Sequence, residues 1–152
     1  MKEKEDYTLL IAVEAMLANN MRPLRDQQVM TSEDVARLYE VKPEYLQKQV
    51  CKNTGRFPRD FMLRLTKKEQ RSLQTAYPNA FTEKGIFMAG GLLKSERAIK
   101  IHIQFIRYFV KLCKASLKYD HLSEVMNTAL EHKDTEPLLI ALRQLLKDKN
   151  AG

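Results

Sequence analysis

At 152 residues the chain has the length of one domain, which buries about 68–70% of its unfolded surface and therefore requires neither a disulfide nor a metal. The two cysteines, Cys51 and Cys113, are far apart in sequence, which suits free thiols in a reducing compartment, and we expect both to be small buried or half-buried hydrophobes. The formal net charge is +7, and the excess lies within residues 21–116, where 19 Lys and Arg stand against 9 Asp and Glu. Such a field attracts polyanions, above all nucleic acid, unless it serves only as a solvated surface.

The first predicted element is an amphipathic helix over residues 9–18. An acidic flank, an interruption at Glu14 and the lack of a cleavage site distinguish it from a signal peptide. No apolar run approaches the roughly 18 residues of a membrane span, so we expect a cytoplasmic, nucleoid-associated protein without membrane contact. After this helix, residues 23–31 predict two short extended segments around a turn at Arg25 and Asp26.

Two short helices are predicted next. Thr31 or Ser32 caps the first, which covers residues 33–39. Pro43 suits the first turn of the second, which covers residues 43–53, and Gly55 is expected to end it in the left-handed conformation.

The next part of the chain predicts one strand followed by three helices. Residues 61–65 indicate a half-buried strand, and Thr66 caps a helix over residues 67–76. Another helix begins at Thr82. A long one runs from Ser95 to about Leu117, and its apolar residues cover so much of its circumference that we expect burial on more than one side, as a central helix or as half of a dimer interface.

Two amphipathic helices are predicted over residues 120–149, separated near Pro137, with Asp134 or Thr135 as the cap. The fold class is therefore mainly α with a small β element (α+β). It combines a helix-turn-helix-like pair, short strands, a long central helix and a C-terminal helical extension.

The spacing of the two short helices is that of a helix-turn-helix, because a small Ala36 stands ten residues before Leu46. Projection of the second helix places Leu46, Val50 and Asn53 on the inner side. The outer side presents long hydrogen-bond donors that suit phosphates and base edges, although each is by itself more often an ordinary solvated side chain. The candidate DNA-binding residues are Lys42, Tyr45, Gln47, Lys48 and Lys52 on or beside this helix, with Arg56, Arg59, Lys67, Lys68 and Arg71 flanking it in sequence.

A series of short motifs resembles the Orf-six N-terminal domain family, relatives of the KilA-N domain of bacterial viruses and mobile elements. The matching residues are Leu38-Tyr39, Val41, the frame Leu46/Val50/Asn53, Arg56-Phe57-Pro58, Asp60-Phe61, Ala80-Phe81-Thr82-Glu83, Gly85 and Ser95-Glu96-Arg97-Ala98. The resemblance covers residues 22–116 and implies a DNA-binding domain there. Residues 1–21 then form an N-terminal helix, and residues 117–152 form an extension that suits oligomerisation.

The chain departs from the family pattern at two positions. Glu40 occupies a turn position where the family usually has Gly, and Cys51 replaces a basic residue on the outer side of the second helix. Several matched residues have a structural explanation instead: Phe57 and Phe61 anchor a loop, Asp60 binds Arg56 or caps a backbone donor, and Gly85 allows a close backbone approach.

Catalysis is not indicated. The three histidines have no metal-ligand spacing, no phosphate-binding glycine motif is present, and His102 on its apolar helix suits a core or boundary position. We therefore expect a protein that is not an enzyme and has no cofactor. The first hypothesis is a double-stranded DNA-binding transcriptional regulator of phage or mobile-element type that forms a homodimer. The alternative is an antirepressor-like module that binds a protein regulator.

Overall fold

Helices dominate the structure, as the sequence predicts. The computed structural model describes residues 2–132 and 136–150. Its first elements are α1 (Lys2–Asn20), β1 (Arg22–Leu24), β2 (Gln27–Thr31), α2 (Ser32–Leu38) and α3 (Pro43–Lys52). After a 3-10 turn at Thr54–Arg56 come β3 (Met62–Arg64), α4 (Lys67–Leu73), β4 (Asn79–Phe81), α5 (Glu83–Gly90), α6 (Glu96–His132) and α7 (Glu136–Asn150). The predicted α+β class is confirmed.

The four strands form one antiparallel sheet in the order β1-β2-β4-β3. Arg25 and Asp26, at the predicted hairpin turn, both have positive φ, at 48° and 61°, as a tight two-residue hairpin requires. Strand β4 is absent from the sequence prediction. It pairs Ala80 with both Thr31 of β2 and Leu63 of β3, so three residues join the two halves of the sheet.

The chain divides into two units, Met1–Ile106 and Arg107–Gly152. In the core of the first unit, α2 and α5 pack on the sheet and α3 packs on α2, and Val13 of α1 reaches the same cluster. Its largest fully buried side chains are Tyr39, Phe81, Met30, Leu38, Leu46, Ile86 and Ile101. The predicted division at residues 21 and 116 stays a prediction.

Three local expectations are wrong. Gly55 does not adopt a left-handed cap, because α3 ends at Asn53 with φ −130° and the chain continues into the 3-10 turn. Helix α4 ends at Leu73, before the predicted residue 76, since Gln74 takes the left-handed conformation. Helix α6 continues past Leu117 to His132. Pro137 does lie in the first turn of α7, whereas the caps expected at Asp134 or Thr135 fall outside the described residues.

The exposure of α6 differs from the expectation of burial on more than one side. In the first unit Ala98 and Ile101 are buried, but Ile99, Ile103 and Ile106 are 43–49% exposed. Only one side of this part of α6 therefore packs within the described chain. Cys51 and Cys113 are also exposed, not buried as expected, because both stand on outward faces of their helices.

Candidate nucleic-acid interface

Helices α2 and α3 form a pair around a short turn. The Thr31 hydroxyl caps α2 by accepting a hydrogen bond from the Asp34 amide at 3.3 Å. Ala36 is fully buried, as expected for a small residue where two helices cross. Glu40 has φ 53°, so the turn uses the left-handed conformation at the position where the sequence departs from Gly. The Val41 amide then donates to the Ala36 carbonyl at 2.9 Å and directs the chain into α3.

Residues far along the chain stabilise this turn. The Ser95 hydroxyl donates to the Tyr39 carbonyl at 2.6 Å, and Arg97 Nε donates to the Leu38 carbonyl at 2.7 Å. Arg97 also lies 3.5 Å from the Glu40 carboxylate. The buried Tyr39 hydroxyl donates to the Ile86 carbonyl at 2.7 Å, and burial raises the pKa of this phenol. The last turn of α2 is therefore bound to the start of α6 and to α5.

The inner side of α3 is as predicted. Leu46 and Val50 are completely buried in the core. Asn53 is half-buried, and its side-chain amide donates to the Gln49 carbonyl at 2.8 Å, which satisfies one of the last carbonyls of the helix. The orientation of α3 is consequently fixed by apolar packing along one side.

The opposite side, here called the α3 face, consists of Glu44, Lys48, Cys51 and Lys52, all exposed. These residues follow the spacing i, i+4, i+7, i+8 and so share one side of the helix. Lys42, immediately before the helix, is exposed as well. The α3 face therefore presents two lysines one turn apart, with no ion pair to a described residue.

Two other candidates on α3 are less accessible. Tyr45 is half-buried and packs against the core cluster. Gln47 is also half-buried, and its Oε1 is buried without a hydrogen-bond partner among the described residues. Their assignment to DNA contact stays a prediction.

A loop after α4 lies against the N-terminal ends of both helices of the pair. The Glu33 carboxylate accepts hydrogen bonds from the Thr75 hydroxyl at 2.6 Å and the Ala76 amide at 2.9 Å. The Tyr77 hydroxyl donates to the Glu44 carboxylate at 2.9 Å. The backbone amide of Glu44 itself, and then this phenol, lower the pKa of Glu44, while the carboxylate raises the pKa of Tyr77.

The same loop connects α4 to the pair. Lys67, Arg71, Thr75 and Ala76 surround one shallow depression, together with Gln70 and Gln74. Because Thr75 and Ala76 bind Glu33, the depression that two of the predicted cations line adjoins the N-terminal end of α2. Lys68 is exposed but does not line this depression.

Helix α4 is anchored at its own N-terminus. Thr66 and Glu69 form a capping box, as the sequence indicates for Thr66. Arg25 binds both oxygens of Glu69, at 2.6 and 2.7 Å, and also donates to the Arg64 carbonyl. Its guanidinium, followed by the Thr66 amide, lowers the pKa of Glu69 to about 2. The hairpin turn thus fixes the helix that carries Lys67 and Arg71.

The other two flanking arginines lie elsewhere. Arg56, the last residue of the 3-10 turn, lines a groove with Phe61, Lys84 and His102, and this groove shares no residue with the depression beside α4. Arg59 is exposed in the following loop. Asp60 binds Lys84 at 3.1 Å instead of the predicted Arg56, because α5 brings that lysine closer.

The remaining matched residues have the structural roles expected of them. Phe57 is buried and meets Phe81 edge to face at 5.9 Å between ring centroids, and Phe61 packs half-buried on the core. A Cβ at Gly85 would lie 1.9 Å from the Phe61 carbonyl oxygen, so the predicted close backbone approach is confirmed. His102 is half-buried, at a boundary position.

Comparison with known proteins gives one result. The family model of the ORF6N domain matches residues 19–91. No curated protein and no solved structure matches the chain significantly.

Residues 19–91 belong to the ORF6N domain family.

The match begins at the end of α1 and includes the helix pair, α4, all four strands and α5. It ends before Ser95 and Arg97, whose hydrogen bonds to Tyr39 and Leu38 stabilise the turn of the ORF6N domain from outside. These two positioning residues appear in the sequence only as part of a motif series. Their role was not predictable because their partners are 56 and 59 positions away.

Two further observations concern the described part of the chain. It holds no cluster of three or more His, Cys, Asp or Glu residues arranged as metal ligands. None of its helices has both the length and the apolarity that crossing a bilayer demands.

Proposed function

We propose that the ORF6N domain binds double-stranded DNA as a helix-turn-helix, with α3 in the major groove, and that the protein is a transcriptional regulator of phage or mobile-element type. It acts by binding, without catalysis, and as a homodimer. The observation that carries this proposal is the α3 face: a helix fixed by Leu46 and Val50 exposes Lys48 and Lys52 to solvent, directly after a turn in the left-handed conformation.

The charge around α3 supports the same function. Lys67 and Arg71 line the depression whose Thr75 and Ala76 bind Glu33 in the first turn of α2, and Lys42 precedes the first turn of α3. Cations at the end of a groove-binding helix suit the phosphates on either side of the major groove, and such contacts set the orientation of the protein on the duplex. Lys48 and Lys52 then reach phosphate or guanine.

A second function, binding to a protein regulator, is favoured by a different observation. A groove of about 480 Å³ lies between α5 and the start of α6, and most of its lining is apolar. Phe87 and Phe105 stack in it with ring centroids 4.2 Å apart, and Arg56 and Glu83 also line it, while Lys84 is paired with Asp60. An aromatic groove with charged residues at its edge suits an apolar segment of a partner protein.

The experiment that separates the two functions is binding of the full chain to random-sequence duplex DNA at about 50 mM and about 200 mM salt. About five phosphate contacts predict that log K falls with log salt at a slope of roughly −4 to −5. No binding at the lower salt concentration would contradict the DNA-binding proposal and favour the protein partner.

The α3 face is tested by the variant Lys48→Ala/Lys52→Ala. Loss of two phosphate contacts should weaken binding at low salt and reduce the salt slope by about 2, with the melting temperature unchanged, since both side chains are exposed. Lys94→Ala/Lys100→Ala removes the same charge from exposed positions at and just before the start of α6, away from the α3 face, and is the matched control. Equal loss of affinity in the two variants would show that net charge, and not α3, governs binding.

A further inference from the structure

The second unit contains a helical hairpin that cannot bury its apolar residues by itself. The end of α6 and α7 run antiparallel, as shown by the 3.0 Å ion pair between Lys118 and Asp148 and by a shared groove whose lining includes Leu122 and Val125 of α6 and Ala141 and Leu145 of α7. The residues facing across the hairpin are buried or half-buried: Leu122, Val125 and Ala129 on α6 and Leu138, Ala141 and Leu145 on α7.

A second apolar stripe on each helix is left exposed. On α6 it consists of Tyr119, Met126 and Leu130, and on α7 of Leu139, Leu142 and Leu146, with exposed fractions from 40% to 74%. Each of these residues follows, by one position, a residue that faces the other helix. One position rotates a side chain by 100°, and because the helices are antiparallel this rotation moves both stripes to the same side of the hairpin. The six residues therefore form one apolar face.

The stripe on α6 also continues back along the helix to Leu112. Leu112, Tyr119 and Met126 recur every seven residues and Leu130 follows four residues later, which is the spacing of residues that pack against another helix, with the small polar residues Ser116 and Ser123 at the intermediate positions. Leu112 is 50% exposed. A small ligand would not cover a face of this length, whereas another helical hairpin would.

The charges of the second unit are unevenly distributed along α6. The basic half, residues 107–118, ends at the level of the Lys118–Asp148 ion pair and contains four Lys and Arg and no Asp or Glu. The acidic half, in which α7 lies beside α6, covers residues 119–131 and 136–148 and contains five Asp and Glu against two Lys and Arg. The hairpin is therefore complementary to an identical hairpin in the opposite direction, and two copies side by side in the same direction repel at both ends.

We propose that the occupant of this face is a second copy of the chain, docked antiparallel so that the acidic half of each hairpin lies on the basic half of the other. The product is a dimer with a two-fold axis near Tyr119, in which the two α6 helices pack antiparallel and the same patch of both copies is buried. This inference rests on the homodimer of the proposed function and specifies its interface and its direction.

The apolar face is tested by the molecular mass of the full chain in sedimentation or light scattering. The wild type should be a dimer, and Leu142→Glu/Leu146→Glu should be a monomer with unchanged melting of the first unit. A monomeric wild type at the highest concentration reached would overturn the inference. Lys48→Ala/Lys52→Ala should remain a dimer, so failure of DNA binding and failure of dimerisation are distinguishable.

The direction is tested by charge reversal, which retains the apolar face. At low salt Glu124→Lys/Glu131→Lys, and separately Lys111→Glu/Lys114→Glu, should each weaken the dimer about tenfold or more. The variant with all four changes should recover wild-type affinity, because both halves are then reversed together. A parallel dimer predicts no loss of dimer affinity in either double variant, and that result would overturn the antiparallel arrangement. The arrangement would also be overturned if the variant with all four changes dimerised no more tightly than the double variants.

Discussion

At the scale of single residues, the backbone conformation of Glu40 determines how α2 leads into α3. Its φ of 53° lies in the left-handed region, which costs an ordinary residue about 1 kcal/mol or more and costs Gly almost nothing. The Glu40 carboxylate contributes little stability, since it lies 3.5 Å from Arg97 and its side chain is 67% exposed to solvent.

We therefore predict that Glu40→Gly raises the free energy of unfolding by up to about 1 kcal/mol, as measured by urea denaturation. Glu40→Ala is the matched control, because it removes the same carboxylate but retains a Cβ in the left-handed conformation. A gain in Glu40→Ala as large as that in Glu40→Gly would mean that the carboxylate, and not the backbone, was unfavourable.

Gly85 and Gly55 are two glycines with opposite surroundings. A Cβ at Gly85 would meet the Phe61 carbonyl oxygen at 1.9 Å, whereas nothing lies within 4 Å of a Cβ at Gly55. Gly85→Ala should lower the free energy of unfolding by about 1–3 kcal/mol, because a backbone atom must move. Gly55→Ala should be neutral or raise it by about 0.4–1 kcal/mol. Thermal melting of both variants measures these changes. A Gly85→Ala variant as stable as the wild type would contradict the close approach of Gly85 to the Phe61 carbonyl.

At the scale of elements, one ion pair connects the β1–β2 hairpin to α4 and makes that connection sensitive to acid. Glu69 has its pKa lowered from 4.5 to about 2, chiefly by the Arg25 hydrogen bond. A carboxyl whose pKa is lower in the folded state stabilises the fold above its unfolded pKa. It loses that contribution as the pH falls from about 4.5 towards 2.

The corresponding prediction compares two arginines of the hairpin. Arg25→Met should reduce stability at pH 6 and should differ less from the wild type as the pH approaches 2, because Glu69 is then becoming protonated in both proteins. Arg22→Met is the control. Arg22 donates to the Leu73 carbonyl at 3.0 Å, and because a carbonyl does not titrate, the stability lost in Arg22→Met should be the same at every pH. A deficit in Arg25→Met that is constant with pH would show that the charge of Glu69 is irrelevant.

At the scale of the whole molecule, the two units have different sources of stability. The core of the first unit is completed within one chain by residues such as Phe81 and Leu46, whereas the hairpin of the second leaves Leu142 and Leu146 exposed. In the dimer that we propose, a second copy covers these two residues.

Hydrogen exchange of the full chain at two protein concentrations should therefore distinguish the units. Dilution should accelerate exchange in α7 and in residues 118–132, since the monomeric hairpin opens more often, and should leave β2, β4 and α3 unchanged. Exchange in α7 that does not depend on concentration would contradict stabilisation by a second copy. The Lys48→Ala/Lys52→Ala variant should show the wild-type pattern.

Much of the local structure follows from the sequence because its physical causes are local. The caps at Thr31 and Thr66, the turn at Arg25 and Asp26, and the inner side of α3 depend on neighbours within four residues and on the helical period, so all were predicted. The ORF6N family was identifiable from the order of its motifs.

Only the tertiary structure decided what depends on distant partners. Strand β4 forms because β2 and β3 lie on either side of it. Its three residues are too few to show the alternation of apolar and polar residues that predicts a strand. Lys84 replaces Arg56 as the partner of Asp60, and Ser95 with Arg97 reaches the turn of the helix pair. Periodicity identified the apolar residues of α6 but not their exposure, because periodicity shows which residues share a face and only packing shows whether another element covers it.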